Sequence, residues 1–169
     1  MRGARVTLCL QMMAMLMGCS SVAVKSDFDP TANFSQYKTF DFLPHRTKPG
    51  GNPFNDKRIE AAVEQELLAK GYQKQTAGTP DFLVAYHSNV RDKIDVDAYG
   101  YRYGRYGRRV GTYTTVREYQ QGTLVIDFVD ANTKELVWRG WAKGEVNDSI
   151  AKEKIDDAVA KILEKYPPQ

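Results

Sequence analysis

The chain is poor in the residues that most often bind metals, form disulfides or attack substrates. Its 169 residues include two cysteines, Cys9 and Cys19, and two histidines, His45 and His87. Cys9 lies inside an apolar N-terminal run, so removal of that run would leave no pair of thiols for a disulfide or a zinc site. The histidines lie on separate predicted elements, and no thiol accompanies them. We therefore expect no metal site.

The sequence also lacks the short motifs of common hydrolases and nucleotide-binding enzymes. It has no Gly-x-Ser-x-Gly elbow and no phosphate-binding P-loop. Asp95 and Asp97 share one face of a predicted strand, where solvated charge is the ordinary explanation, and Asp127 and Glu118 would share a face only in a suitable register. We expect a non-enzymatic protein without a cofactor. The alternative is an envelope hydrolase or transferase with an unrecognised site.

Acidic residues are absent before Asp27, and the N-terminus has the layout of a secretory signal peptide. Arg2 and Arg5 precede an apolar run at residues 6–17. A helix needs about 20 apolar residues to span the hydrocarbon core, so this run is too short. A basic start, an apolar stretch of about 7–15 residues and a small residue at the cleavage site are typical of a signal peptide.

Residues 16–19, Leu-Met-Gly-Cys, resemble the lipobox read by the bacterial lipoprotein signal peptidase. Leu16 and Gly18 match that pattern, whereas Met17 departs from it, because the position usually holds a smaller or β-branched residue. We predict that residues 1–18 are a lipoprotein signal peptide and that Cys19 carries acyl chains such as palmitate, which anchor the protein to a membrane. The alternative is an ordinary signal peptide cut nearby, which would leave a free thiol.

The residue after the cysteine implies a location by resemblance to other lipoproteins. In Gram-negative lipoproteins an aspartate there resembles a signal for retention in the inner membrane, and this chain has Ser20. The resemblance implies transfer to the outer membrane, with the domain in the periplasm. The alternative is a domain exposed at the cell surface.

The predicted mature chain has 151 residues, a length that suits one domain. We expect residues 19–31 to form a lipidated, extended tether and residues 32–169 to form a single α+β domain. Cleavage removes Arg2 and Arg5 and leaves 22 basic against 21 acidic residues, a net charge of +1. This balance gives no reason to expect a polyanionic partner, and an exported protein is not expected to meet nucleic acid.

Hydrophobic periodicity predicts the order strand, helix, four-strand meander, helix. Alternation indicates a strand at 37–43, and apolar residues every four positions indicate a helix from Asn52 or Asn55 to Gly71. Four strands follow at 80–96, 112–119, 123–130 and 135–146, with a turn at 120–122, and the last helix spans about 149–166. We expect a two-layer α+β fold, a mostly antiparallel sheet of about five strands with both helices packed on it.

Four segments together resemble one family of bacterial lipoproteins. They are DFDPTANFSQYKTFDF at 27–42, LLAKGY at 67–72, PDFLVAYH at 80–87 and GTLVIDFVDANTKELVWRGWAKGEV at 122–146. The chain resembles the lipoproteins that contain a domain of unknown function, DUF4136, over nearly all of its mature length. This resemblance implies a lipoprotein with one α+β domain, and it implies no enzymatic activity.

Residues 99–113, YGYRYGRYGRRVGTY, hold five tyrosines and four arginines and no acidic residue. Arginine forks bind phosphate and carboxylate groups, and tyrosine faces stack on sugars or apolar groups. Envelope partners of that chemistry are lipopolysaccharide, lipid head groups, peptidoglycan and envelope proteins, a second copy of the chain included. The alternative is a glycine-loosened hairpin arm that joins two strands. The candidate binding residues are Tyr101, Arg102, Tyr103, Arg105, Tyr106, Arg108 and Arg109.

If this segment binds an envelope anion, replacing its four arginines by serine will weaken that binding, because the guanidinium forks are lost. The replaced residues are Arg102, Arg105, Arg108 and Arg109. Binding is measured to anionic liposomes, lipopolysaccharide and peptidoglycan sacculi. Unchanged binding to all three would reject the anion-binding hypothesis.

Overall fold

The computed structural model describes residues 22–44, 52–103, 109–146 and 152–167. A six-stranded sheet carries two helices, and the strand order across it is β1-β6-β5-β4-β2-β3. β2 is parallel to β3 and β4, and the other pairs are antiparallel, which confirms a mixed α+β fold with a mostly antiparallel sheet. The elements are β1 (Ala23–Phe28), a 3-10 turn (Phe34–Gln36), β2 (Thr39–Phe42), α1 (Pro53–Ala69), β3 (Gln73–Lys74), β4 (Phe82–Tyr103), β5 (Arg109–Asp130), β6 (Leu136–Val146) and α2 (Lys152–Leu163).

The sheet has six strands rather than about five, and the predicted turn at residues 120–122 does not exist. Residues 112–119 and 123–130 belong to one strand, β5, so the meander has three strands. Gln120 pairs with Asp92 on one side and with Val146 on the other. Gly122 serves packing here, because a Cβ added to it would lie 2.8 Å from Cγ1 of Val146. β1 and β3, which the periodicity did not indicate, complete the six.

The predicted tether is wrong for residues 23–28, because they form the edge strand β1. β1 pairs with β6 over its whole length, from Ala23 opposite Lys143 to Phe28 opposite Trp138. Backbone hydrogen bonds hold this strand, and its side chains, most of which are exposed, gave no apolar alternation to detect. The folded domain therefore begins before residue 32.

Both helices share one hydrophobic core with one face of the sheet. α1 begins as predicted, since the Asn52 side chain accepts a hydrogen bond from the Phe54 amide at 2.9 Å. Gly71 follows α1 with a φ of +91°, the left-handed conformation that closes helices. The predicted apolar stripes are buried: Ile59, Val63 and Leu67 in α1, and Ile155, Val159, Ile162 and, beyond the end of α2, Tyr166.

Aromatic rings fill the centre of this core. The Phe128 ring on β5 lies 4.8 Å from Phe82 on β4 and 4.9 Å from Trp138 on β6, measured between ring centroids. Tyr166 meets Phe128 edge to face at 4.5 Å, the geometry that aromatic pairs prefer. Trp138 is fully buried and belongs to the core, whereas Trp141 is half-buried.

Two carboxylates, the half-buried Asp81 and the buried Asp130, link strands at the edge of the core, where β2 and β4 begin and β5 ends. Asp81 accepts hydrogen bonds at 2.8 Å from the backbone amides of both Lys38 and Thr39. Asp130 accepts hydrogen bonds from the Tyr37 hydroxyl at 2.9 Å and from two amides in the turn after β5. These contacts join strands that are distant in sequence.

Both carboxyl groups have lowered pKa values. Burial raises the pKa of Asp81, but hydrogen bonds from Lys38 and Thr39 outweigh burial and hold that pKa below its ordinary value. The Thr133 amide, followed by the Asn132 amide and the Tyr37 hydroxyl, lowers the pKa of Asp130 against the effect of burial. The unfolded chain therefore binds more protons near pH 4 than the folded chain does.

We expect Gly140→Ala to lower the free energy of unfolding by about 1–3 kcal/mol, the usual range for overpacking. A Cβ at Gly140 would collide with the Trp138 ring and lie 2.5 Å from Cγ2 of Ile162. Gly144→Ala on the same strand is the matched control, since its Cβ would meet only Cγ2 of Val22 at an ordinary 3.5 Å. Urea unfolding measures both variants, and equal losses would contradict the packing explanation.

We expect Asp81→Asn to cost about 1.5–3 kcal/mol at pH 7, the range for hydrogen bonds to a charged group. The contribution of a carboxylate with a lowered pKa is complete above its unfolded pKa of about 4 and is lost as pH falls through the folded value. The variant should therefore lose less stability than the wild type between pH 5 and pH 2. Asp95→Asn, at an exposed position, is the control. Parallel pH profiles for wild type and Asp81→Asn would refute this.

Candidate functional surface: the two-stranded ribbon

β4 and β5 extend far beyond the other strands as a two-stranded ribbon. β2 pairs with β4 only at residues 82–84, and β6 pairs with β5 only from Gln120 onward. From Lys93 opposite Tyr119 to Tyr103 opposite Arg109, the two strands pair only with each other. We call residues 93–103 and 109–119 the ribbon. Its eleven cross-strand pairs span about 35 Å at about 3.4 Å per residue.

The described side chains of the ribbon, at residues 93–96 and 115–119, make it amphipathic. Ile94, Val96 and Val116 lie on one face and are 62%, 62% and 59% exposed. Val96 and Val116 are direct cross-strand partners, so their side chains lie on the same side. Glu118, opposite Ile94, is charged and lies on this face near the root of the ribbon. We call Ile94, Val96 and Val116 the aliphatic face.

The opposite face of the ribbon is polar. Lys93, Asp95 and Arg117 alternate with the aliphatic residues. Arg117 donates a hydrogen bond at 2.6 Å to Glu145 of β6, and its guanidinium lies 5.7 Å from the ring centroid of Tyr119. The ion pair is exposed and adds little stability, but it joins the root of the ribbon to the neighbouring strand.

The predicted Tyr/Arg segment lies at the far end of the ribbon. Tyr101 pairs with Gly111, Arg102 with Val110 and Tyr103 with Arg109, which confirms the backbone of a hairpin arm. Arg105, Tyr106 and Arg108 lie outside the described residues, as do Cys19 and His45. A binding role for the segment remains a prediction. Sequence reasoning missed the aliphatic face, although the period-two pattern Ile94, Val96 was visible.

The chain enters β1 at the end of the sheet from which the ribbon leaves. Ala23 lies opposite Lys143, Lys143 opposite Thr123 and Thr123 opposite Asn89. From that level β4 continues into the ribbon, whereas β1 runs in the opposite direction. Val22, which precedes β1, therefore lies on the ribbon side of Ala23.

A cavity of about 400 Å³ lies between the end of β2, the start of α1 and Tyr86. Asp41, Asp56 and Glu60 give it acidic walls, with Lys57 beside them. Burial, reinforced by Glu60 and Asp56, raises the pKa of Tyr86 to about 12, so its hydroxyl stays protonated at neutral pH. The lining residues include no serine, cysteine or histidine. The cavity suits a small cationic group better than it suits nucleophilic catalysis.

The sheet face away from the helices carries an ion pair between β5 and β6. Arg139 donates two hydrogen bonds of 2.6 Å to the carboxylate of Asp127, which is buried. Asp127 and Glu118 lie on opposite faces of β5, so they do not form the carboxylate pair considered from the sequence. His87 is exposed on the same strand face as Ala85 and Leu83. The Arg139–Asp127 ion pair joins β5 to β6, so Asp127 has a structural role.

Among the described residues, no group of three or more histidine, cysteine, aspartate or glutamate side chains is suited to a metal ion. No helix within the same residues combines the length and apolar character needed to cross a membrane.

Two solved structures share this fold at low sequence identity. A PDZ domain protein from Parabacteroides distasonis ATCC 8503 has a TM-score of 0.61 and 19% identity, and the likeness covers 88% of this chain. The match spans 36% of that protein, so this chain corresponds to about a third of its length. A PelC dodecamer from Paraburkholderia phytofirmans has a TM-score of 0.50 and 13% identity, covering 84% of this chain and 94% of that one.

Comparisons by sequence identify a family without assigning a role. No functionally curated protein matches the chain. The model of the family described as a domain of unknown function, DUF4136, matches residues 24–168. The match begins within β1 and includes both helices and the ribbon. The chain therefore belongs to the DUF4136 family.

Proposed function

We propose that this protein is a non-enzymatic binding module of the bacterial cell envelope, anchored by acyl chains on Cys19 to the outer membrane with its domain in the periplasm. The observation that carries the binding role is the ribbon. It holds an exposed aliphatic face outside the core, at the end of the sheet where the chain enters the domain. The lipobox resemblance at residues 16–19 supports the anchor.

A ribbon of this kind needs a contact to be stable. An isolated pair of strands is marginal in water, and both outer edges of this one present unpaired backbone groups. Ile94, Val96 and Val116 are more than half exposed, although β-branched aliphatic residues usually pack against something. A lipid surface or a protein that covered these side chains would remove that cost.

The described acidic groups support binding rather than catalysis. Asp81 and Asp130 accept hydrogen bonds from backbone amides, Asp130 also accepts one from the Tyr37 hydroxyl, and Asp127 is held by Arg139. Each of these three carboxylates therefore has a structural partner. The acidic cavity beside Tyr86 is lined by no serine, cysteine or histidine.

Association between copies is a second candidate function. The outer edge of β1 is open, and its six residues are a template for strand addition. The PelC structure of similar fold is described as a dodecamer. Sedimentation of the purified protein over a range of concentrations tests this candidate, and a monomer at all concentrations would reject it.

We expect Cys19→Ser to abolish incorporation of labelled palmitate and to remove the protein from the outer-membrane fraction, because the thioether has no sulfur to form on. Cys9→Ser is the matched control, since that residue leaves with the signal peptide. Mass spectrometry of the wild type should show an N-terminus at Cys19 with added lipid. An unmodified thiol or a cut elsewhere would refute the anchor. Ser20→Asp should move the protein to the inner membrane.

A further inference from the structure

We infer that the aliphatic face of the ribbon, Ile94, Val96 and Val116, lies against the lipid bilayer that holds the anchor. This inference rests on the proposed lipidation of Cys19 and adds an orientation and a partner to it. It follows from three observations: the direction in which the chain enters the sheet, the short reach between Cys19 and β1, and the amphipathic character of the ribbon.

The direction comes from the register of the sheet. Ala23, Lys143, Thr123 and Asn89 lie side by side across four strands. Because β1 runs away from the ribbon, its first residue, Ala23, and the preceding Val22 lie at the end of β1 that faces the ribbon side of the domain. Neighbouring strands are about 4.8 Å apart, so β1 enters the sheet about 10 Å from β5.

The length of the link between Cys19 and Ala23 limits how far the sheet can lie from the bilayer. Three residues, Ser20 to Val22, separate Cys19 from Ala23, and the four Cα steps between them span about 14 Å when fully extended. From the level of Ala23, β4 continues for fourteen residues from Asn89 to Tyr103, about 48 Å. This part of β4, which includes one strand of the ribbon, is therefore more than three times longer than the link to the lipid. It stands clear of the bilayer only if the link turns sharply within those three residues.

The side chains explain which face meets the lipid. Val96 and Val116 form an aliphatic cross-strand pair with Ile94 beside it, and the charged residues Lys93, Asp95 and Arg117 lie on the opposite face, where they can reach water. Glu118 is at the level of Ile94 near the root, where it can remain in the head-group layer. Apolar residues on one face and charged residues on the other are typical of structures that lie in the membrane interface.

A bilayer fits this surface better than a second copy does. A stable protein interface buries roughly 800 Å² on each partner. Three aliphatic side chains supply well under that area. The bilayer does not need to be recruited, because the anchor holds it beside the ribbon at all times, which is the advantage of an intramolecular contact.

Thiol labelling tests the inference in the lipidated protein reconstituted into liposomes. The predicted mature chain has no cysteine besides Cys19, whose sulfur carries lipid, so an introduced thiol is labelled alone. Ile94→Cys and Val116→Cys report on the aliphatic face. Their exposed neighbours on the other face, Lys93→Cys and Thr115→Cys, are matched controls. Each is labelled with the polarity-sensitive fluorophore bimane, and a spin-labelled phospholipid in the liposomes acts as quencher.

We expect bimane at positions 94 and 116 to shift to shorter wavelength and to be quenched several-fold more strongly than at 93 and 115. Weak or equal quenching at all four positions, in protein that floats with the liposomes, would overturn the inference and leave the anchor intact. A shift at 94 and 116 that grows with protein concentration without lipid quenching would show a contact between copies, which also overturns it. Protein that does not float with the liposomes would overturn the proposed anchor itself.

Discussion

Phe128 lies where the central strand, its two neighbours and the C-terminal segment meet. Its ring contacts Phe82 of β4, Trp138 of β6 and Tyr166, which follows α2, all with centroid separations below 5 Å. Aromatic side chains bury 150–250 Å² each and dominate the energetics of a core. This aromatic cluster therefore holds the C-terminal segment against the sheet and packs β4, β5 and β6 together on that face. The glycine at position 140 belongs to the same arrangement, because the Trp138 ring occupies the space that its side chain would need.

The helices cover only one end of the long strands, the start of β4 and the end of β5, and the uncovered remainder includes the ribbon. On the core face of β4, Tyr86 is 3% exposed, whereas Ile94, eight residues later on the same face, is 62% exposed. On β5 the last core residue towards the ribbon is Leu124, and Val116 beyond it is open. The alternation of side chains does not change along the strand, but the helical layer ends. Residues of one chemical type thus stabilise the domain at one end of a strand and are exposed at the other.

The end of the helical layer explains which features could be predicted from the sequence and which could not. Periodicity predicted both helices, the cap at Asn52 and most strand positions, because each of these leaves an apolar pattern. It could not predict where the helical layer stops, so the aliphatic face was indistinguishable from core. β1 was missed because its stability comes from backbone pairing with β6 rather than from apolar alternation. Gly122 was interpreted as a turn residue, but its small size accommodates Val146. The hairpin position of the Tyr/Arg segment could be predicted, whereas its binding role stays a prediction.

The strand β1 matters most for the proposed function because it limits how far the domain can move and turn relative to the membrane. A tether over residues 19–31 would have reached about 40 Å and let the domain take any orientation above a membrane. β1 removes six residues from that tether and holds them to β6 by a ladder of backbone hydrogen bonds. In the proposed lipidated form, the sheet then begins about 14 Å from the anchor. The ribbon continues two strands of this sheet, so its direction is fixed by that of the sheet. Because the ribbon leaves the sheet on the side of the proposed anchor, there is little space between it and the lipid. The amphipathic side chains of the ribbon are suited to that encounter.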